Sequence, residues 1–286
     1  MKVNGNTQIF GIMGYPIGHT LSPAMHNAAF EALGMQAVYV PFQVKPEDLG
    51  KATLSLRALG IFGVNVTLPH KSGVIEFLDE LDTTAKQIGA VNTIMQRGGK
   101  LYGYNTDGPG FMLSLRKDGH FEPAGKKVVI LGAGGAAAAV AMSLAGAGVR
   151  RLVIANRNKV RAEVLAKRVQ RHFDRETLPV ALDESRALYW LIRESDMLVN
   201  ATSVGLAGTE RLSLNPNGLH NKLFVFDLVY RETALIKAAK RRGLKTLDGL
   251  GMLVSQGARS FEIFTGKRAP FRVMKNAVEH ALKFAK

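Results

Sequence analysis

The fold is decided by one stretch of the sequence, VVILGAGGAAAAVAMSLAGAGVRRLVIANRNKVRAEVLAKRV, which runs from Val128 to Val169. Its first residues are apolar and β-branched, as in a strand that is buried on both faces. A glycine-rich turn follows, and the alanine-rich run from Ala136 to Ala147 predicts a helix. The apolar run from Leu152 to Ala155 predicts a second strand, so the stretch is typical of a dinucleotide-binding unit of the Rossmann type.

The turn after the first strand has the glycines that a bound pyrophosphate requires. Gly132, Gly134 and Gly135 let the backbone turn tightly and approach the phosphates, whose charge then lies at the amino terminus of the helix. Ala137 stands at the third glycine position of G-x-G-x-x-G, where only a small residue is required. An ordinary βαβ unit with solvent-facing arginines is the alternative, and the flanking strands and helix favour the dinucleotide site.

The end of the second strand indicates which dinucleotide is bound. An acidic residue at this position would bind the ribose 2′-hydroxyl of NAD and repel a 2′-phosphate. The chain has Asn156 and Arg157 there instead, with Arg161 one turn into the next helix. Guanidinium groups bind phosphate well, so the sequence predicts NADP as the cofactor.

Length and composition restrict the class of protein. A chain of 286 residues is long enough for two domains, or for one large domain, with well-buried cores. The absence of cysteine excludes disulfides and thiolate metal sites, which suits a reducing compartment. No apolar run approaches the length of a membrane span, and the first residues do not resemble a signal peptide. We therefore expect a cytoplasmic protein without a membrane partner.

The charge is strongly positive, with 38 lysines and arginines against 23 aspartates and glutamates and a net charge of +15. A chain this basic could bind nucleic acid. The positive residues are spread over helices such as Lys159 to Arg171 without interleaved aromatic residues, which favours a solvated basic surface over a specific nucleic-acid site. The histidines lack metal-ligand spacing, so we predict no metal site. A monomer and a homodimer both remain open.

Strands and helices alternate along the whole chain, which predicts an α/β fold in two domains that face each other across a cleft. We predict a substrate-binding catalytic domain at residues 1–107, completed by C-terminal helices at residues 252–286. The NADP-binding Rossmann domain is predicted at residues 108–251.

Local patterns predict three further features of the first domain. The pair Gly98-Gly99 predicts a hairpin turn between two short strands. Ser22 before Pro23 predicts the start of a helix, with Ser22 as its N-cap. Two helices close the chain, from about Leu250 to Thr265 and from Phe271 to Phe284, and we expect them to pack on the first domain.

Polar residues cluster where strands of the first domain give way to turns, which is where open parallel sheets bind ligands. Thr20 and Ser22 lie at the mouth of a helix and could bind a carboxylate, and Lys71 and Asp107 could form an acid–base pair. Each residue alone also has an ordinary explanation, as a cap, a turn residue or a solvated side chain. Four such clusters together favour a ligand site: His19 to Pro23, Val64 to Lys71, Gly89 to Thr93 and Asn105 to Gly108. The residues suited to sugar-like hydroxyl groups are Asn65, Thr67 and Asn92.

Eight segments follow one another along essentially the whole chain: IMGYPIGHTLSPAMHNAAF, GVNVTLPHK, GAVNT, GYNTDGPGF, GAGGA, NRNKVRAEVLA, NATSVG and DGLGMLVSQGA. Each segment alone is modest evidence, whereas the eight together are highly specific. In this combination and order they resemble the shikimate dehydrogenase family, which includes relatives that oxidise quinate as well as shikimate.

The resemblance implies reversible reduction of the 3-keto group of 3-dehydroshikimate to shikimate, a step of aromatic amino-acid biosynthesis, with NADPH as the hydride donor. Lys71 would be the general acid and base, and Asp107 would hold Lys71 and accept a hydrogen bond from a substrate hydroxyl. Thr20 and Ser22 would hold the substrate carboxylate. The ring hydroxyls and the rest of the pocket would be contacted by Thr67, Asn92, Gln256 and Tyr230.

The resemblance also implies which residues contact the cofactor. The pyrophosphate would lie on Gly132, Ala133, Gly134, Gly135 and Ala136. The 2′-phosphate and the adenine would be held by Asn156, Arg157, Asn158 and Arg161. The nicotinamide would lie close to the backbone at Leu228 and Gly249.

Two positions depart from the family pattern. Thr20 stands where serine is common, and its methyl group changes the pocket near C1 of the ring, where quinate has a hydroxyl that shikimate lacks. The loop between Tyr230 and Thr233 is shorter than usual. A quinate/shikimate dehydrogenase of dual substrate and cofactor use is therefore the alternative function. A catalytically silent NADP-binding regulator is disfavoured because Lys71 and Asp107 are both present.

Overall fold

The computed structural model describes residues 3–206, 212, 214 and 216–284. The chain divides into two compact units. The first unit comprises Met1–Gly110 together with Val254–Lys286, and the second comprises Phe111–Leu253. No helix within the described residues is long and apolar enough to cross a membrane.

The first unit is built on a mixed six-stranded sheet. Its strands are β1 (Gln8–Gly14), β2 (Ala37–Gln43), β3 (Gly63–Val66), β4 (Glu80–Leu81), β5 (Thr93–Arg97) and β6 (Lys100–Tyr104). They lie in the order β2-β1-β3-β5-β6-β4, and only β5 runs antiparallel to its neighbours. The helices that begin in this unit are α1 (Ser22–Ala32), α2 (Leu49–Ala58), α3 (Thr83–Ile88) and α4 (Asp107–Lys117).

The hairpin predicted around Gly98-Gly99 is confirmed. Strands β5 and β6 pair in antiparallel register from Thr93–Tyr104 to Arg97–Lys100, with the two glycines alone between them. Both have positive φ, 57° and 76°, which a two-residue hairpin of this type requires and which glycine adopts without a steric penalty.

The predicted N-cap of α1 is wrong by one residue. Leu21 occupies the cap position, no side chain caps the helix, and Ser22 is the first helical residue with Pro23 behind it. The reason is tertiary: Ser22 is buried, and its side chain forms a hydrogen bond with Tyr39 in β2. Its hydroxyl is directed at Tyr39 and forms no cap hydrogen bond with the helix amides.

The second unit has a six-stranded sheet in which all strands are parallel. Its strands are β7 (Lys127–Leu131), β8 (Arg151–Asn156), β9 (Glu176–Ala181), β10 (Met197–Asn200), β11 (Phe224–Asp227) and β12 (Thr246–Leu247). The order is β12-β11-β10-β7-β8-β9, so the winding direction reverses between β7 and β10, where doubly wound sheets bind ligands. Its helices are α5 (Gly135–Gly146), α6 (Lys159–His172), α7 (Ser185–Arg193) and α8 (Ala234–Arg241).

The elements predicted between Val128 and Val169 are confirmed to within one residue at each boundary of β7, α5 and β8. The strands β7, β8, β10 and β11 are almost wholly buried, which explains why their sequences are continuous apolar runs. Strand β9 was not identified from the sequence. It lies at the edge of the sheet, alternates between exposed and buried residues and contains Pro179, which obscures the strand pattern.

The last two helices are α9 (Leu250–Thr265) and α10 (Phe271–Phe284), with the bounds predicted from the sequence. From Val254 onward they belong to the first unit, where α10 packs on α1. Phe261 and Phe264 of α9 contact Phe30 and Phe10, with ring centroids 5.4 Å apart in both pairs. These aromatic contacts are part of the core that supports β1 and α1.

Candidate active site

Lys71 and Asp107 form an ion pair in the first unit. The Nζ atom of Lys71 lies 2.6 Å from Oδ2 of Asp107, and their side chains are 17% and 5% exposed. Lys71 follows β3 by one short turn, and Asp107 is the first residue of α4. The structure therefore contains the ion pair that the sequence predicted. Removing such a pair from water costs free energy, which further hydrogen bonds from the surrounding residues must offset.

Asn92 provides the hydrogen bond to the other carboxylate oxygen. Its Nδ2 atom donates to Oδ1 of Asp107 at 2.9 Å and contacts Oε1 of Gln256 at 3.3 Å. Its Oδ1 atom accepts from the backbone amide of Thr106 at 2.8 Å, which fixes the orientation of the amide. Both carboxylate oxygens of Asp107 are therefore held, and with them the position of the Lys71 ammonium group.

Asn65 lies in a buried polar network beneath this pair. Its Nδ2 atom donates to Ser260 Oγ at 2.8 Å and to Thr93 Oγ1 at 3.1 Å. Its Oδ1 atom accepts from the hydroxyl of Tyr39 at 2.7 Å. Both ends of the Asn65 amide thus bond inside the protein, and its contact with ligand hydroxyls stays a prediction.

Thr20 lies in the turn before α1, and Ser22 is the first residue of that helix. The backbone amide of Ser22 donates to Oγ1 of Thr20 at 3.3 Å, and the hydroxyl of Ser22 bonds to Tyr39. Thr67 follows β3, and a side chain at Gly14 would overlap its methyl group, so glycine is required for β1 and this loop to approach. All three predicted substrate contacts therefore lie at the carboxyl ends of β1 and β3.

Two histidines near these residues have structural surroundings. His70 is 2% exposed, and its Nε2 atom lies 2.7 Å from the carbonyl oxygen of Val44. His26 is fully buried and stacks on the ring of Tyr39, with centroids 4.3 Å apart and planes 5° apart. Neither ring nitrogen of His26 has a hydrogen-bond partner within the described residues, and burial lowers the pKa of His26 to about 3.

The glycine turn of the second unit has the geometry of an anion site. Gly132 has φ +110°, and a side chain there would meet the carbonyl oxygen of Ala201 at 2.9 Å. Gly134 is the N-cap of α5 and faces open space where a side chain would be. As far as the structure describes the chain, no side chain caps this helix, so its first amides can bind an anion. Ala133, Gly135 and Ala136 complete the turn.

The two arginines after β8, Arg157 and Arg161, are exposed. Asn158 caps α6 by accepting from the amide of Arg161 at 3.3 Å, and Asn156 donates to the carbonyl of Asn158 at 2.9 Å. Lys159, in the same turn, is paired with a glutamate at 2.8 Å. Among the ion pairs of the described residues, none involves Arg157 or Arg161, so both remain available to an anionic ligand.

The predicted nicotinamide contacts lie in two adjacent loops of the second unit. The amide of Gly249 donates to the carbonyl of Val229 at 3.1 Å. A side chain at Gly249 would overlap the carbonyl oxygen of Leu228, which explains the glycine. Tyr230 follows, partly buried, and burial raises its pKa. Thr233 caps α8, so only two residues separate Tyr230 from the helix cap.

The structure thus joins Lys71, Asp107, Asn92 and Gln256 directly by hydrogen bonds in the first unit. Tyr230, Leu228 and Gly249 lie in the second unit with the glycine turn and the arginines. Several buried residues that support these sites were missed from the sequence, because their partners are distant along the chain. They are Tyr39, Thr93, Thr106, Ser260, Asn200 and Asp227.

Three family models match successive parts of the chain. The substrate-binding domain of shikimate dehydrogenase matches residues 12–94, shikimate/quinate 5-dehydrogenase matches residues 115–230, and the C-terminal domain of shikimate 5′-dehydrogenase matches residues 249–279. These matches cover segments of both units, including the ion pair's lysine and the glycine turn.

Similar proteins extend over nearly the whole chain. The shikimate dehydrogenase (NADP⁺) of Symbiobacterium thermophilum is 48% identical over 283 residues, 98% of this chain and 96% of the relative. A shikimate dehydrogenase crystallised with NADP⁺ has a TM-score of 0.88 at 40% identity and covers 98% of this chain and 97% of its own. The enzyme of Listeria monocytogenes, crystallised with shikimate and NAD, has a TM-score of 0.86 at 36% identity, with coverage of 99% and 98%. This chain belongs to the shikimate dehydrogenase family.

Proposed function

We propose that this chain catalyses the NADP-dependent, reversible reduction of 3-dehydroshikimate to shikimate. It is an oxidoreductase that acts on a CH–OH group. The observation that carries the proposal is the ion pair of Lys71 and Asp107, fixed by Asn92 inside the unit that matches the family's substrate-binding domain. An ammonium group held in this way can both donate a proton and stabilise a developing oxyanion.

The residues of the second unit fit NADP. The uncapped start of α5 and the positive φ of Gly132 suit a pyrophosphate, and the unpaired guanidinium groups of Arg157 and Arg161 suit a 2′-phosphate. Asn156 and Asn158 would hold the adenine and 2′-phosphate end together with these arginines, and the backbone at Leu228 and Gly249 would contact the nicotinamide. When bound, NADPH supplies the hydride for the reduction.

Lys71 protonates the substrate oxygen. As the carbonyl carbon is reduced its oxygen gains negative charge, and the Nζ atom of Lys71 donates a proton to that oxygen. Asp107 keeps the ammonium group in place and accepts a hydrogen bond from a neighbouring hydroxyl of the substrate. In the reverse direction the same lysine accepts the proton from the alcohol.

The rest of the pocket orients the ring. Thr20 and Ser22 hold the substrate carboxylate in this proposal, and Ser22 is buried beside Tyr39. Asn92 and Gln256 meet beside Asp107, and in this proposal their amides bind the ring hydroxyls next to the reacting carbon. Thr67 and Tyr230 complete the set of substrate contacts in this proposal.

A dehydrogenase that uses quinate as well as shikimate is the second candidate. Residues 115–230 match a model that covers both activities, and Thr20 changes the pocket near C1. Quinate differs from shikimate at that carbon, so an additional methyl group there affects the two acids differently.

The deciding experiment is NADP⁺ reduction with shikimate and then with quinate, each repeated with NAD⁺ and followed by the absorbance of the reduced cofactor. We expect strong activity only with the combination of shikimate and NADP⁺. Comparable activity with quinate or NAD⁺ would identify the dual enzyme. Inactivity with both acids would overturn the proposed substrate.

The form in which the enzyme works also remains a prediction. We expect a monomer or homodimer in the cytoplasm, with no specific nucleic acid and no membrane as partner. Sedimentation of the purified chain with and without cofactor distinguishes the two oligomeric states. Retention on DNA that disappears at moderate salt would mark nucleic-acid binding as nonspecific.

A further inference from the structure

Asp227 is a buried carboxylate that the proposed reaction does not use. It is the last residue of β11 and is 0% exposed. Its Oδ1 atom accepts hydrogen bonds from Asn200 Nδ2 at 2.9 Å and from the amide of Val229 at 3.0 Å. Its Oδ2 atom accepts from Thr233 Oγ1 at 2.7 Å. The donors come from the end of β10, the loop after β11 and the cap of α8.

The contact with Asn200 extends to the loop that borders the glycine turn. The Oδ1 atom of Asn200 accepts from the amide and hydroxyl of Thr202, at 3.1 and 2.7 Å. The hydroxyl of Thr202 accepts from the amide of Val204 at 3.1 Å. Within the same loop, the carbonyl oxygen of Ala201 lies against Gly132. The backbone after β10 is therefore held by a relay of side chains that ends at Asp227.

The other two contacts hold the loop after β11. The bond to the amide of Val229 fixes the residue that follows Leu228, and the carbonyl of Val229 in turn accepts from the amide of Gly249. Thr233 donates to Asp227 and accepts from the amide of Ile236 at 3.2 Å, so one hydroxyl joins the helix cap to the carboxylate. The Asp227 side chain therefore bonds directly to the end of β10 and to the loop after β11, and the loop after β12 is joined to it through the backbone of Val229.

A carboxylate is the side chain that these donors require. All three partners donate, and an ionised aspartate can accept at both oxygens, whereas an asparagine amide would turn a donor toward one of them. Burial raises the pKa of Asp227, and the hydrogen bonds from Thr233, Val229 and Asn200 oppose that effect. Burying a carboxylate costs free energy, and hydrogen bonds to both of its oxygens offset that cost.

We propose that Asp227 is a positioning residue for the nicotinamide end of the cofactor. Asp227 bonds directly to the end of β10 and the loop after β11, and through Val229 it is joined to the loop after β12. It thereby fixes the backbone at Leu228, Tyr230 and Gly249. The inference rests on the proposed function, because that proposal assigns these residues to the nicotinamide. The hydrogen-bond network itself is independent of the assignment.

The test compares two ligands that share the adenine end. NADP⁺ has the nicotinamide half, whereas adenosine 2′,5′-bisphosphate has only the 2′-phosphate and adenine half. We expect Asp227→Asn to weaken NADP⁺ binding roughly tenfold or more, the usual scale for losing a hydrogen bond to a charged group, and to leave adenosine 2′,5′-bisphosphate unchanged. Titration calorimetry measures both affinities without turnover.

Two further variants keep the test decisive if Asp227→Asn folds poorly. Thr233→Val removes the hydroxyl that donates to Asp227, and Thr233→Ser retains it, so only the first should repeat the selective loss. Ser195→Ala is the matched control, because Ser195 is a buried hydroxyl that bonds to the carbonyl of Leu191 at 2.7 Å before the start of β10. We expect this control to change neither affinity.

Amide hydrogen exchange without ligand completes the experiment. The amides of Val229, Thr202 and Val204 should exchange faster in Asp227→Asn than in the parent protein. Equal losses for the two ligands, or no loss for either, would overturn the positioning role. If the parent protein binds NADP⁺ but does not oxidise shikimate, the proposed reaction is wrong while the ligand comparison still decides the role of Asp227. If it does not bind NADP⁺, the positioning role is overturned with the cofactor assignment, and the exchange data then report the loop network alone.

Discussion

The two sheets present opposite kinds of chemistry at their carboxyl ends. In the first unit, charged and polar side chains are bonded to one another, as in the Lys71–Asp107–Asn92 group. In the second unit, the corresponding end has the helix start at Gly134 and the exposed Arg157, which takes part in none of the ion pairs of the described residues. The side chains at the first end are oriented by contacts within the protein, whereas the groups at the second end suit contacts with an anionic ligand.

The difference follows from the ligands proposed for each end. A dinucleotide brings its own negative charges, which satisfy helix amides and guanidinium groups directly. A small acid with several hydroxyls offers weak, directional contacts, so the groups that bind it must be oriented in advance. Variants that remove a group from either end should therefore fail in different ways.

The largest effect is expected from Lys71→Ala. Removing the proton donor should lower kcat by about 10²- to 10⁴-fold and leave the affinity for NADP⁺ unchanged. Steady-state kinetics with shikimate and calorimetry with NADP⁺ measure the two quantities. Lys86→Ala, at an exposed lysine of α3 in the same unit, is the matched control and should behave as the parent. Near-normal turnover of the Lys71 variant would remove this lysine from the mechanism.

A smaller and more selective effect is expected from Arg157→Ala. Losing a guanidinium from a phosphate site should weaken NADP⁺ binding by roughly ten- to a hundredfold and hardly affect NAD⁺, which has no 2′-phosphate. Lys159→Ala, in the same turn but already paired with Glu184, should cost less. Affinity measurements with both cofactors test this directly. If the two cofactors lose equally, the 2′-phosphate lies elsewhere.

The smallest effect concerns stability in acid and depends on His26. The folded protein keeps this ring neutral down to a pKa of about 3, whereas an unfolded histidine binds a proton near 6.5. Between these values the unfolded state binds more protons, so the free energy of unfolding should fall by roughly 1 kcal/mol for each unit of pH lost. Above pH 6.5 His26 is neutral in both the folded and the unfolded state, so its burial does not lower the free energy of unfolding there.

Urea unfolding at several pH values measures this slope. His26→Phe keeps a flat ring against Tyr39 and should remove the contribution, whereas His172→Ala, at an exposed histidine, should retain it. A slope that survives in the His26 variant would assign the acid sensitivity to other groups.

The second unit could be predicted from the sequence almost completely because its signals are local. The apolar strands, the glycine turn and Arg157 all lie within a short span, and each depends only on its neighbours. Strand β9 escaped because an edge strand with Pro179 lacks a continuous apolar run.

The first unit was harder to predict because its important contacts are long-range. Asn65 has the same local pattern as a ligand-binding asparagine, and only the fold shows that Tyr39 and Ser260 use its amide. Ser22 has the local pattern of an N-cap, but its hydroxyl bonds to Tyr39 and not to the helix amides. Asp227 could have been found from its position at the end of an apolar strand, shortly before the capping Thr233.

The hydrogen bond between Asn65 and Ser260 spans 195 positions of the chain. Everything between Phe111 and Leu253 belongs to the second unit, whose residues are contiguous. A growing chain that has just passed Leu253 therefore contains every residue of the second unit, while the first still lacks the helices that cover its aromatic core. The unit that contains Lys71 thus acquires its complete set of residues after the second unit during synthesis, although its strands precede those of the second unit along the chain.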